Sequence, residues 1–112
     1  MKTMQRSIGV FGAVLCCGMT LCLAQSSAQS NYIAKCQACH GATGAGDTPT
    51  GKMLSVKSFA DPQVVSLTDD SLTGTLSNGA GKMPAFKNIY SGDQISALVQ
   101  YLHQLQTSLQ AK

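Results

Sequence analysis

The five residues Cys36-Gln37-Ala38-Cys39-His40 crowd two thiols and an imidazole into little more than one helical turn. Such a cluster has few uses, and each leaves a mark elsewhere in the chain. A disulfide between Cys36 and Cys39 would close a very small loop with little entropic gain, and it would leave His40 without a role. A thioredoxin-like C-x-x-C needs a βαβ setting, and no stretch here alternates β-branched and polar residues as strands would. A structural zinc site takes four ligands, usually as two pairs. Outside the cluster the only other histidine is His103.

The use that employs all three side chains is the attachment of a c-type haem, whose signature is C-x-x-C-H. Thiols three residues apart on one turn can add to the two vinyl groups of a single haem. The next residue, His40, is then held beneath the iron and can donate an imidazole nitrogen. Cys36 and Cys39 are therefore read as thioether attachment points for one covalent haem c, with His40 as the proximal iron ligand.

The N-terminus indicates where that attachment takes place. Lys2 and Arg6 are the only charges among the first 34 residues, and no charge falls between Ile8 and Ala24. A small, polar stretch, QSSAQS, follows. A basic start, an apolar centre and a small-residue end make a secretory signal peptide, cleaved after Ala24 or Ala28. Ala28 is preferred, because it leaves a short polar region behind the apolar one. Residues 1–28 are thus the signal and 29–112 the domain. An uncleaved membrane anchor is the alternative, although 17 apolar residues sit at the lower limit for a span.

Cleavage changes what the composition means. The full chain has 112 residues, five Cys and a net charge of +3. The exported domain keeps 84 residues, two Cys, and six Lys against five Asp. Even the full chain's +3 is too weak a bias to suggest a nucleic-acid binder, and the exported domain carries only +1. A domain of this size buries only ~60–65% of its unfolded-chain surface and needs help from a cofactor or cross-link.

The local signals are helical. Gln29–Cys39 reads as a short helix leading into the cysteines. Gly41, Gly44, Gly46, Pro49 and Gly51 predict a loop over residues 41–52. Asp61-Pro62 opens a short helix or turn that runs to Leu67. Thr68 or Asp69 caps another that carries Leu72 and Leu76 and ends at Asn78-Gly79. Ser91 and Gln94 form a capping box. It starts a final helix from about Asp93 to about Gln106, with Ile95, Leu98, Val99, Leu102 and Leu105 at helical spacing. The chain is therefore all-α with long loops and a thin core of its own.

Three segments together resemble the small monohaem class I cytochromes c of bacteria. They are Tyr32-x-x-x-Cys36-x-x-Cys39-His40-Gly41, Asn78-Gly79-x-Gly81-Lys82-Met83-Pro84-Ala85-Phe86 and Leu98-x-x-Tyr101-Leu102. The resemblance spans about residues 29–107. It implies the class I cytochrome c fold, with three to four short helices and loops wrapped around the haem. It also implies that Met83 is the second axial ligand of the iron. Pro84 holds Met83 towards an extended backbone, which suits a loop residue presenting its side chain. Met53 and His103 are the lesser candidates: Met53 packs against the haem or stays at the surface, and His103 lies off the apolar stripe and is solvated.

His/Met ligation fills both axial sites and raises the reduction potential relative to bis-His. The function so implied is periplasmic shuttling of single electrons by a carrier that is not itself an enzyme. The alternatives are a haem sensor or enzyme with a displaceable Met, and a membrane-tethered cytochrome subunit of a respiratory complex. The partners are redox proteins; no nucleic acid is bound, no span remains after signal cleavage, and the protein is a monomer.

Further expectations follow from the same resemblance. His40 donates its other N–H to a backbone carbonyl of the following loop, often that of a Pro, and Lys52 stands where Pro is common. Leu54, Phe59, Leu72, Leu76 and Phe86 pack on the porphyrin. Tyr32 and Tyr101 meet where the first and last helices cross. Ala28 stands where the family usually has the Gly of that crossing. Lys52, Lys57, Lys82 and Lys87 flank the haem-edge loops and could steer acidic partners.

Overall fold

The last helix organises the domain. Ser91 accepts from the backbone N–H of Gln94 at 3.2 Å, and the Gln94 side chain accepts from Ser91 N–H at 2.9 Å, closing the capping box. In this computed structural model, which describes residues 17–112, six helices follow in order. They are α1 (Cys17–Lys35), α2 (Gln37–His40), α3 (Pro49–Met53), α4 (Pro62–Val65), α5 (Asp69–Asn78) and α6 (Gly92–Gln110). Residues 1–16, with most of the apolar leader and Cys16, lie outside the described residues.

Ile95, Leu98 and Val99 form the buried stripe of α6, and Leu102, Leu105 and Leu109 extend it. Two helices pack on this stripe. Helix α1 brings Ala28, Tyr32 and the adjoining Cys36, spaced i, i+4, i+8 and all buried. Helix α5 brings Leu72 and Leu76, also i, i+4 and buried. Tyr32 and Tyr101 meet at the α1–α6 contact with ring centroids 5.3 Å apart, as the sequence predicts. Tyr90 fastens the approach to α6, its hydroxyl donating to the Asn31 carbonyl at 3.3 Å.

The short helices show how far local signals reach. Asp61 and Thr68 cap α4 and α5 through their side chains, with Pro62 in the first turn of α4. Three elements differ from expectation. The first helix, expected over Gln29–Cys39, starts at Cys17 and ends at Lys35, and the chain passes through Cys36 into the separate turn of α2. Helix α6 runs on to Gln110, because Leu109 still finds the core. The segment 41–52, read as loop throughout, contains α3. Thr48 is its N-cap and Pro49 its first residue, so the proline that suggested a break instead starts a helix.

One polar contact joins α5 to α6. His103 Nε2 lies 2.7 Å from Asp69 Oδ1, and Nδ1 lies 2.9 Å from Gln106 Oε1. The Gln106 amide is oriented by its own donation to the Phe59 carbonyl at 3.1 Å. Both ring nitrogens therefore face acceptors, and only the imidazolium satisfies both. The bond to Asp69 first, then that to Gln106, raises the His103 pKa above 6.5. This raised folded-state value gives a stabilisation that is present below about pH 6.5 and lost as pH rises through it. Both side chains are well exposed, so the effect stays within the ~0.2–1 kcal/mol of a solvent-screened pair. Melting temperatures of the native protein and an Asp69→Asn variant should differ most near about pH 6 and converge towards about pH 9.

Candidate functional site

Helix α2 is the cluster itself. The chain leaves α1 through the buried Cys36, whose N–H still donates to the Tyr32 carbonyl at 2.8 Å. It then makes one turn from Gln37 to His40. Gly41, with φ +84°, ends that turn, and its carbonyl accepts from the Tyr32 hydroxyl at 2.7 Å. The register of α1 thus fixes which way the cysteines face. Cys36 and Cys39 are free thiols in this structure.

Helix α3 clamps α2 from below. The Thr48 hydroxyl lies 2.8 Å from the Ala38 carbonyl and 3.2 Å from that of Cys39, while accepting from Gly51 N–H at 2.9 Å. Gly51 has no room for a side chain, since a Cβ there would overlap the Cys39 carbonyl oxygen. The Thr48-Pro49 pair was the sequence signal for this contact.

Above α2 the fold leaves a cleft made of two cavities of about 190 and 500 Å³. Cys36, His40, Lys57, Thr75 and Met83 line both. Cys39 lines the larger one. All five residues expected to face a porphyrin are there: Phe59, Leu72 and Leu76 in the smaller cavity, Leu54 and Phe86 in the larger. Met83 reaches the cleft from a tight turn in which Ala80 and Met83 exchange backbone hydrogen bonds of 2.9 and 3.1 Å. Met53, by contrast, is 75% exposed and lines neither cavity. His103 is partly exposed to solvent, as expected, with its ring nitrogens engaged by Asp69 and Gln106, and it lines neither cavity.

The electrostatics suit a bound haem. Burial lowers the His40 pKa, which keeps the imidazole neutral and its lone pair available near pH 7. Burial, and then proximity to Cys39, pushes the Cys36 thiol up to about 11. Burial likewise holds the Tyr32 phenol well above its ordinary range. The donors are two thiols and a neutral imidazole on one wall and a thioether on another, set among apolar side chains. These residues fit the group that the C-x-x-C-H motif implies. Of the lysines named from sequence, Lys57 and Lys82 reach the cleft and Lys52 and Lys87 do not. Lys35 also lines it and was missed, although it directly precedes Cys36.

One expectation fails. His40 Nδ1 is buried and has no hydrogen-bond partner, so no loop carbonyl takes its proton. The reason is α3. Folding 49–53 as a helix directs the carbonyls of Thr48, Thr50, Gly51 and Lys52 to the N–H groups of Lys52, Leu54, Val56 and Ser55.

Comparison with known proteins bears on the fold and the family. The model of the family described as cytochrome c oxidase, cbb3-type, subunit III, matches residues 24–102. A solved structure described as KustC0563 c-type cytochrome is similar, with a TM-score of 0.65 and 25% identity over 70% of this chain and 96% of that one. No curated protein sequence matches.

Proposed function

Given that this chain belongs to the family described as cytochrome c oxidase, cbb3-type, subunit III, and is a small cytochrome c with a covalent haem c, we propose that it is a periplasmic single-electron carrier. Cys36 and Cys39 hold the group through thioethers, and His40 and Met83 are its axial ligands. The observation that carries this reading is the convergence of His40 and Met83 on the same cleft. When bound, the haem supplies a one-electron iron couple. The protein's part is to occupy both axial positions and to surround the group with apolar side chains. Both choices favour the reduced state and a raised potential. Lys35, Lys57 and Lys82 at the cleft offer positive charge to an acidic redox partner.

The signal reading is part of the proposal. Ala28 is only 2% exposed on α1, so it belongs to the packed domain. That favours cleavage after Ala24 over Ala28. Among the described residues, no helix is long and apolar enough to cross a membrane. The family's description also favours a second reading, a cytochrome domain serving one oxidase complex.

The test is a redox titration of the exported holoprotein, with its intact mass and its fractionation between periplasm and membranes. A single one-electron wave, a reduced form that ignores CO, and a periplasmic protein beginning at Gln25 are the expected results. Rapid CO binding by the native protein would overturn the closed-carrier reading in favour of a haem sensor or enzyme. Retention in membranes would favour the complex-bound one.

A further inference from the structure

The group that orients a metal-bound histidine is usually a hydrogen-bond acceptor on its second nitrogen. His40 has none, since its Nδ1 is buried without a partner. What it has is a stacked ring. Phe59 lies against the imidazole with centroids 4.8 Å apart and planes inclined by 28°.

Phe59 is itself held on several sides. Its N–H donates to the Gly44 carbonyl at 2.8 Å. Its ring meets Tyr32 edge-on at 6.3 Å. Gly44, with φ +83°, lies directly beneath it, and a Cβ there would overlap the ring. The Phe59 carbonyl accepts from the Gln106 amide at 3.1 Å, across 47 residues of sequence. Gln106 is 7% exposed, on the apolar side of α6. A buried amide is costly unless both its ends are used. Here one end holds Phe59 and the other meets His103.

We propose that Phe59, braced by Gln106, is the positioning residue that sets the rotation of the His40 imidazole, in place of the missing hydrogen bond. The inference rests on His40 being an axial ligand. Its consequence is a ligand oriented by packing and not made more basic by an acceptor. Iron then receives less electron density from that nitrogen, which favours the reduced state.

The experiment uses exported holoprotein as native, Phe59→Leu and Gln106→Met forms. The readouts are the paramagnetically shifted haem-methyl proton resonances of the oxidised state, which report axial-ring orientation, and the ratio of reduced to oxidised protein at a fixed ambient potential. Phe59→Leu should reorder the methyl shifts and change the ratio by about threefold or more. Gln106→Met, which leaves the stacked ring in place but frees its carbonyl, should move both in the same sense by less. If both variants keep native shifts and ratio and only melt earlier, the proposal is overturned. Should Phe59→Leu fail to fold, Gln106→Met decides alone. If native protein lacks the strongly shifted signals of an iron-bound imidazole, the ligand reading itself falls, and the proposal with it.

Discussion

Replacing Met83 by Ala should remove the weak far-red absorption of sulfur–iron ligation from the oxidised protein and lower its midpoint potential by roughly 0.1–0.3 V, a fraction of the ~0.8 V over which axial ligands tune haem iron. The reasoning is chemical. A thioether is a soft donor that favours ferrous iron, and loss of it admits water or an external ligand. The same variant should bind CO when reduced, where the native protein does not. Met83 stands in a tight turn outside the helices, so the truncation leaves the helical core in place and the effect is read at the iron. An unchanged spectrum would refute Met83 as a ligand and reopen the sixth position.

A larger effect on folding is expected from Cys36→Ser together with Cys39→Ser. Without thioethers the group is held only by its axial ligands, and acidic organic extraction should strip it from the variant but not from the native protein. The stripped chain should then show no cooperative thermal transition in far-ultraviolet circular dichroism. The smaller cavity alone is about 190 Å³. With the group gone, its apolar lining, Phe59, Leu72 and Leu76 among it, is left facing water. A folded domain spanning residues 25–112 has only about 4–13 kcal/mol of stability in total. The group therefore accounts for much of the margin between folded and unfolded chain. A stripped variant that still melted sharply near the native temperature would contradict this.

Much of the fold was legible because the signals that set it are local. Thr68, Asp61 and Ser91 cap helices within three residues of themselves, and the Ile95–Leu105 stripe needs only the helical period. Helix α3 was misread for a related reason. Four glycines and a proline close together suggest a loop, yet Thr48-Pro49 is also a helix start. The choice between them is made by a tertiary contact, the Thr48 hydroxyl on the carbonyls of α2. Gln106 was invisible as a site residue, since nothing in its sequence neighbours distinguishes it from an ordinary polar helix position.

The sequence by itself determined the chemistry. Covalent attachment at two points with an adjacent ligand demands one fixed spacing, and Cys36, Cys39 and His40 carry that demand in five consecutive residues. The helical character follows from periods and caps that act over a few residues. The surroundings of His40 were decided only in three dimensions. The carbonyls of α3 accept from N–H groups within and just after it, none reaches His40 Nδ1, and Phe59, whose own carbonyl accepts from the buried Gln106 amide, stacks on the imidazole. Such choices depend on which distant groups compete for the same hydrogen bond or the same space. That competition exists only once the chain has packed.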